Sequence, residues 1–321
     1  MAVRLITVLV LVAASSASIH ADELTDLQAF AKAAKGHYSK YGEKQCCLDL
    51  GRETTDADLV TLGKMSTDQV QGLTIALCDK ITDNGFLEIV NMPSLQHLSL
   101  PPQLSDIAYF NMAKRFPKVY SLSIGYNHLK KLSPVTTKGL KLIAEMPSIL
   151  NISIHGTSID DSCWAALAKS PRLMALEVSN SKLSGEGIER LNNCNKLNNI
   201  HLENLSLTTV GVSQIGKIEP LAILRIVKCG TSDQGLIGLS KHSRLSDISL
   251  VGDPISDDGV KSLANIKTIY QVTINSPQIT DAMYAHLATM ADLKIITIRG
   301  AKITAVGKAD SQKAMPKVIV Y

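Results

Sequence analysis

The segment DPISDDG, Asp253–Gly259, places three aspartates and a glycine within seven residues. Such crowding is typical of calcium-binding loops, in which oxygen ligands alternate and a glycine occupies the sixth position. Counting back from Gly259 puts Pro254 at the first ligand position, and a proline side chain has no oxygen to offer. Serine and aspartate ahead of an apolar stripe also begin helices, because their oxygens accept hydrogen bonds from first-turn amides. The segment therefore predicts a helix start rather than a metal site.

A short motif, L-x-x-L-x-L, precedes this helix start and recurs along the chain, as in the copies that begin at Leu197, Leu221 and Leu245, 24 residues apart. Its alternating apolar residues predict a strand with one buried face. A Ser/Thr-Asp-x-Gly step and apolar residues at helical spacing follow, and a proline often ends the unit. Each copy thus predicts one strand and one helix. The copies begin at Gln45, Val70, Leu95, Val119, Ile149, Leu173, Leu197, Leu221, Leu245, Ile269 and Leu293, with a truncated last copy at Val318.

This pattern resembles the leucine-rich repeat family over residues 45–321. The ninth position of the family motif is usually Asn or Cys, and Cys78, Asn127 and Cys229 occupy it here. The segment LCDKITDNG is similar to the cysteine-containing subclass found in F-box proteins and their bacterial relatives. The resemblance implies an α/β leucine-rich repeat solenoid, a horseshoe with a parallel concave sheet and convex helices. Other residues at the ninth position predict an interrupted hydrogen-bonded ladder; they are Thr157, Ser181, Leu205, Asp253, Pro277 and Ala301.

The N-terminus has the order of a secretory signal peptide, with Arg4, an apolar run over residues 5–14 and then small residues. We expect cleavage after Ala21, and therefore a secreted or periplasmic protein. The apolar run is too short for a membrane span, which needs about 20 apolar residues. Residues 22–44 are helix-prone and are expected to cap the open end of the repeat domain, residues 45–321, which has about eleven repeats plus a truncated last strand.

The cysteines and histidines are too widely spread in the repeat frame to cluster. Cys78 and Cys229 share one register six repeats apart, and C-x-x-C is absent. The thiols are predicted to be buried core residues, and the vicinal Cys46 and Cys47 are the only pair that warrants a redox test. Histidines on outward strand positions lie two strand spacings apart, roughly 10 Å, so we predict no metal site and no cofactor. These histidines are His97, His155 and His201.

Outward residues of successive strands form columns on the predicted concave face. The middle column is mostly small, but Glu177, His201 and Arg225 follow one another in it, each about 4.8 Å from the next. These three residues form the most distinct group of polar side chains on the predicted concave face. The residues diagonal to it are Asn199, Glu203 and Asp247.

Two interpretations of this constellation remain open. It is either a charged site that binds a partner, with Arg225 as the main anchor, or a solvated ladder whose charges neutralise one another. A catalytic interpretation would make His201 a base oriented by Glu177. The repeat frame places no exposed Ser or Cys nucleophile beside them, and a concave sheet offers no deep pocket that excludes water, so we predict no enzymatic activity.

A second candidate surface is the one irregular spacing between copies. The copy that begins at Val119 spans 30 residues rather than 24. The repeat frame places the insertion between strand and helix, and insertions in repeat proteins lie in surface loops, often at the binding edge. Neutral variation in loop length is the alternative, since it costs little free energy. The candidate residues on this loop are Tyr126, His128, Lys130 and Lys131.

The sequence therefore predicts an exported, non-catalytic leucine-rich repeat scaffold that binds a protein or peptide partner through its concave strand face. A net charge of +4 without basic runs gives no indication of nucleic-acid binding. One alternative is an F-box-like ubiquitin-ligase substrate adaptor, which the subclass resemblance suggests but the signal peptide contradicts. The other is a hydrolase that uses Glu177 and His201.

Overall fold

The computed structural model describes residues 19–41, 45–89, 92–110, 112–125 and 132–321. Thirteen strands in this part of the chain form one sheet, and their order in the sheet follows their order in the sequence. The strands are β1 His37–Tyr41, β2 Gln45–Asp49, β3 Val70–Thr74, β4 His97–Leu100, β5 Ser121–Ile124, β6 Asn151–His155, β7 Ala175–Ser179, β8 Asn199–Glu203, β9 Ile223–Val227, β10 Asp247–Val251, β11 Gln271–Asn275, β12 Ile295–Arg299 and β13 Ile319–Val320.

Short helices connect most of the strands. The α-helices are α1 Ile19–Ala33, α2 Asp56–Gly63, α3 Asp83–Leu87, α4 Met112–Arg115, α5 Thr137–Ala144, α6 Cys163–Leu167, α7 Thr209–Ile215, α8 Asp233–Leu236, α9 Asp257–Leu263, α10 Met283–Leu287 and α11 Ala305–Ala314. The described residues also form 3₁₀ turns: Asp106–Tyr109 ahead of α4, Ile188–Asn193 between β7 and β8, and Ile237–Leu239 directly after α8.

The strand register confirms the repeat frame. Neighbouring strands from β2 to β13 pair in parallel, and the middle outward residues face one another across the sheet, as Ser249 faces Arg225 and Thr273. Inward residues such as Leu224 and Ile226 are fully buried between the sheet and the helices. The arrangement is the predicted α/β leucine-rich repeat solenoid, in which each unit buries its apolar face against its neighbours.

The two ends of the sheet differ from the sequence-based expectation. Between α1 and β2 lies β1, which pairs antiparallel with β2 and was not predicted. Residues of α1, including Leu27, Phe30 and Ala31, are buried in the same core as β2. At the other end, the register of β13 differs by one residue from the copy predicted from Val318. That copy starts 25 residues after Leu293, but Ile319 pairs with Ile295, 24 residues earlier in the chain.

The aspartates of the Ser/Thr-Asp-x-Gly step link successive repeats. Ser256 caps its own helix, accepting from the Asp258 N–H at 3.2 Å, as predicted. Asp257 has a different role, because its carboxylate accepts from both the backbone N–H and the hydroxyl of Thr280 in the next repeat. Equivalent links from aspartate to the next repeat's cap residue join Asp56 to Thr82, Asp83 to Ser105, Asp106 to Thr136, Asp161 to Ser184, Asp233 to Ser256 and Asp281 to Thr304.

The ninth-position ladder is maintained at several of the predicted interruptions by other groups. The hydroxyls of Thr157 and Ser181, which lie in adjacent repeats, are 3.0 Å apart and hydrogen-bonded to each other. One oxygen of Asp253 accepts from three successive N–H groups of the preceding repeat, those of residues 229–231, at 2.8, 2.6 and 3.0 Å. The acidic residue peculiar to the DPISDDG copy is therefore structural, and the ordered turns it supports hold the ends of β9 and β10 in place.

Candidate functional site

The predicted concave constellation is assembled on three adjacent strands. Glu177 of β7 pairs with His201 of β8, and His201 pairs with Arg225 of β9, so the three residues form a ladder across the sheet. All three lie on the face opposite the helices, because the residues between them, such as Ile200 and Leu224, point into the core. The structure thus brings together the ladder that the repeat frame predicts.

The acidic end of the ladder is internally paired. His201 Nδ1 lies 3.3 Å from Glu177 Oε1, and the Ser153 hydroxyl donates to Glu177 Oε2 at 3.2 Å. The hydrogen bond from His201 holds the pKa of the Glu177 carboxyl below its usual value. On the other side of the imidazole, Glu203 Oε2 is 3.9 Å from Nε2, which is too long for a hydrogen bond. Glu177 and His201 are therefore paired with each other within the sheet.

Arg225 does not take part in this pairing. Its side chain is exposed, and it makes no ion pair or hydrogen bond with any residue in the described part of the chain. The predicted Glu-His-Arg ladder is accordingly a Glu-His pair beside an unpaired guanidinium. An unpaired arginine fork presents five N–H donors to whatever approaches the sheet.

Asp247 and Asn199 lie on the strands that flank Arg225, at the first outward position of β10 and β8. Both side chains are half-buried. Burial raises the pKa of the Asp247 carboxyl, and none of the described basic side chains forms an ion pair with it. Arg225 and Asp247 are therefore oppositely charged, adjacent and not bonded to each other.

These residues line an open depression of about 650 Å³ on the strand face, which extends from β6 to β12. Asparagine, glutamine, serine and threonine are the commonest polar residues in its lining, and none of the described residues that line it is Phe, Tyr or Trp. The depression takes in residues that the analysis of one column and its diagonals overlooked, such as Gln271, Asn275 and Arg299. They occupy the other two outward positions of the same repeat frame, so applying the frame to every outward position would have found them.

Lys228 is a further residue that sequence reasoning missed. It follows β9 in the left-handed region with φ 51°, where equivalent positions in other repeats hold Asn180, Asn204 and Gly252. Asparagine and glycine adopt this conformation at low cost, whereas lysine does so with strain. The lysine is exposed and follows Arg225 by three residues, directly after the end of β9.

The other predicted candidates are dispersed. His155 Nδ1 bonds the Ser179 hydroxyl at 2.8 Å, and burial lowers the pKa of its imidazole. His97 Nε2 pairs with the Tyr120 hydroxyl at 2.9 Å. The described residues contain no group of three or more His, Cys, Asp or Glu side chains that could hold a metal ion. The loop residues Tyr126, His128, Lys130 and Lys131 lie outside the described residues.

The thiols are mostly core residues, as predicted. Cys46, Cys78, Cys163, Cys194 and Cys229 are buried. Burial raises the pKa of Cys229 to about 11, and its Sγ donates to the Leu202 carbonyl of the preceding repeat at 3.4 Å. Cys78 makes the same kind of bond to the Gly51 carbonyl, 3.3 Å. A thiol with a raised pKa is a poor nucleophile at neutral pH, because little of it is thiolate.

Glu177 and His201 have the mutual geometry of a base and its orienting carboxylate, but the next partner in a hydrolytic arrangement is missing. Within the described residues, no serine, threonine or cysteine side chain is hydrogen-bonded to His201. The Ser153 hydroxyl donates to Glu177 instead. Nucleophilic catalysis needs a hydroxyl or thiol within hydrogen-bond reach of the base, and no described side chain takes that position at His201.

The parallel sheet, the inter-repeat aspartate links and the polar strand face define a leucine-rich repeat solenoid. No protein-family model matches the chain, and no curated protein sequence matches it. Among solved structures, the chain is similar to an internalin, InlF, from Listeria monocytogenes, with a TM-score of 0.54 and 19% sequence identity over 82% of this chain and 75% of the internalin. This similarity is one of fold. In the described part of the chain, no helix is long and apolar enough to span a membrane.

Proposed function

We propose that this protein is an exported, non-catalytic scaffold that binds a protein or peptide partner through its concave strand face. The observation that carries the proposal is the pair of unpaired charges, Arg225 and Asp247, in one depression of about 650 Å³. Asp247 is half-buried, and a partly desolvated charge without a counter-charge costs free energy that a ligand of complementary charge recovers. The strands fix the backbone positions of both residues, which favours binding because the site needs little backbone ordering.

Binding at the depression is tested by filling it. Thr273 is half-buried at the middle outward position of β11, so Thr273→Trp places an indole over the floor of the depression. The matched control is Thr209→Trp at the exposed start of α7, on the helical side. After chemical crosslinking in the extracytoplasmic fraction, we expect partners of the wild-type protein to be retained by the control and lost by Thr273→Trp. Equal retention by both variants would contradict the proposal.

Export rests on the N-terminal sequence, residues 1–21, whose structure lies outside the described residues except at its last three positions. A reporter fused after Lys44 should be found beyond the cytoplasmic membrane, and it should remain in the cytosol when the apolar run is interrupted by charged residues. Retention of the unaltered fusion in the cytosol would remove export and leave the F-box-like adaptor as the better prediction.

The non-catalytic assignment has its own test. The Glu177 and His201 pair is the arrangement closest to a hydrolytic site among the described residues. We expect the purified protein to show no esterase, peptidase or glycosidase turnover above the level of His201→Ala. A turnover that this variant abolishes would contradict the assignment and support the hydrolase alternative.

A further inference from the structure

The charged side chains in the depression divide into those that are paired within the sheet and those that have no partner among the described residues. Glu177 is bonded by His201 and by the Ser153 hydroxyl, so its charge is satisfied within the sheet. Arg225 and Asp247 have no such partner among the described residues. A ligand that lies over β9 and β10 therefore meets an unpaired cation next to an unpaired anion, while Arg299, a second cation without a partner among the described residues, lies three strands away on β12.

The register fixes the separation of these two charges. Asp247 pairs with Ile223 across the sheet, and Arg225 lies two residues further along β9. One strand spacing of about 4.8 Å and two residues of about 6.7 Å along the strand place the two alpha carbons about 8 Å apart. In an extended peptide, side chains at positions i and i+2 point to the same side and are about 6.7 Å apart. The alpha-carbon separation of Arg225 and Asp247, about 8 Å, is thus close to the separation of alternate residues in an extended chain, about 6.7 Å.

The surroundings of the pair suit a peptide backbone. Asn199 on β8 and Gln271 on β11 flank the two charged residues, and Thr273 lies beyond Ser249 in the middle column. Amide side chains donate and accept hydrogen bonds, as peptide groups do. Ile223 is 39% exposed between the two charges and offers an apolar contact to the residue that bridges them.

We infer that the depression recognises an extended peptide segment that carries one acidic and one basic side chain two residues apart, the acidic one on Arg225 and the basic one on Asp247. This inference rests on the proposed function and deepens it. A purely acidic segment is disfavoured because Asp247, Glu177 and Glu203 line or border the site. A purely basic segment is disfavoured by Arg225 and Arg299 in the same depression.

The test uses a displayed library of random linear peptides selected against the immobilised full-length protein. Enriched sequences are synthesised, and their dissociation constants are measured by fluorescence anisotropy for wild type, Arg225→Glu, Asp247→Lys and the exchanged double variant Arg225→Asp with Asp247→Arg. Lys261→Glu and Asp292→Lys are the charge-matched controls, because both side chains are exposed away from the strand face. Circular dichroism melting establishes that each variant is folded.

We expect the enriched peptides to contain an acidic and a basic residue at i and i+2. Each single reversal should weaken binding about 10-fold or more, since it replaces an attraction with a like-charge contact, and the controls should leave affinity unchanged. The exchanged double variant should regain affinity for peptides in which the two charges are exchanged. Enrichment of peptides without the pair, indifference to both reversals, or no enrichment at all would overturn the inference.

Thr273→Trp separates failure of the inference from failure of the proposed function. If the selected peptides lose binding to Thr273→Trp but ignore the charge reversals, the depression binds peptides and the charge pair does not select them. If they also bind Thr273→Trp as they bind wild type, the depression is not the binding site and both proposals fail.

Discussion

At the scale of single residues, the thiols show how the alternation of a strand sets reactivity. Cys46 and Cys47 are neighbours in β2, and neighbouring strand residues point to opposite faces. Cys46 is fully buried, and burial raises the pKa of its thiol to about 11. Cys47 lies on the concave face and is half-buried. The two thiols that the sequence makes vicinal are therefore in different environments.

We predict that one thiol of the six reacts rapidly in the native protein. Titration with a chromogenic disulfide such as DTNB should show a single fast reaction from Cys47 and five thiols that react only after denaturation. Cys47→Ser should abolish the fast reaction. Two fast thiols would show that a second cysteine is accessible, and a missing fast phase would indicate that Cys47 is oxidised.

A second residue-scale prediction concerns Glu177. The hydrogen bond from His201 lowers the pKa of this carboxyl in the folded protein. The ionised side chain therefore stabilises the fold above about pH 4.3, the value of a free glutamate, and this contribution is lost as the pH falls through the lowered pKa. By carbonyl NMR titration, we expect the pKa of Glu177 to lie below that of a free glutamate and to rise in His201→Ala. An unchanged pKa in the variant would mean that His155 and the Ser153 hydroxyl, rather than His201, lower it.

At the scale of secondary structure elements, the glycine of the Ser/Thr-Asp-x-Gly step is explained by the preceding repeat. A Cβ at Gly259 would lie 2.3 Å from Asp233 Oδ1 and 2.8 Å from a methyl of Ile255. At Gly235, by contrast, the preceding repeat has no aspartate at this position, and a Cβ would approach Val212 no closer than 3.0 Å. The glycine is thus required where an inter-repeat aspartate occupies the space beside it.

We predict that Gly259→Ala is much more destabilising than Gly235→Ala. The first change displaces Asp233 from its bonds to Ser256, so we expect the free energy of unfolding to fall by about 1–3 kcal/mol. In the second, the gain in helix propensity, about 1 kcal/mol, offsets the tighter packing. Urea denaturation of the two variants measures the difference. Equal losses would indicate that backbone conformation rather than the aspartate requires the glycine.

At the scale of the whole molecule, stability is shared between neighbouring repeats. The side chain of Leu27 in α1 is fully buried in the core that includes β2. We expect α1 and β1 to act as the cap of this end, because an uncapped solenoid exposes the apolar face of its first repeat. Leu250 of β10 is also buried, in an interior repeat of the solenoid.

We predict that Leu27→Ala loosens one end of the solenoid only. Truncation of a buried leucine costs about 2–5 kcal/mol, and nearest-neighbour coupling confines the effect to adjacent repeats. Hydrogen-exchange mass spectrometry should show faster exchange in β1 to β3 and unchanged exchange in β10 and β11. Leu250→Ala should instead accelerate exchange in β9 to β11. Faster exchange along the whole chain in Leu27→Ala would contradict local coupling.

The sequence by itself determined the repeat frame, and through it the strands, the faces of the sheet and the adjacency of Glu177, His201 and Arg225. It could do so because a parallel solenoid relates each residue to its neighbour by a constant period, so sequence spacing becomes distance. The period could not predict the two ends of the sheet. β1 pairs antiparallel with β2 and does not follow the repeat pattern, and the two-residue β13 is too short for its sequence to fix its register.

Only the tertiary structure decided which charges are satisfied. Glu177 is bonded while Arg225 and Asp247 are free, and Asp257 supports the next repeat rather than its own helix. Side-chain rotamers and burial settle such choices, and both depend on contacts between repeats that no single copy encodes. The repeat period determines which residues are neighbours, whereas side-chain packing in three dimensions determines which of those neighbours form hydrogen bonds or ion pairs.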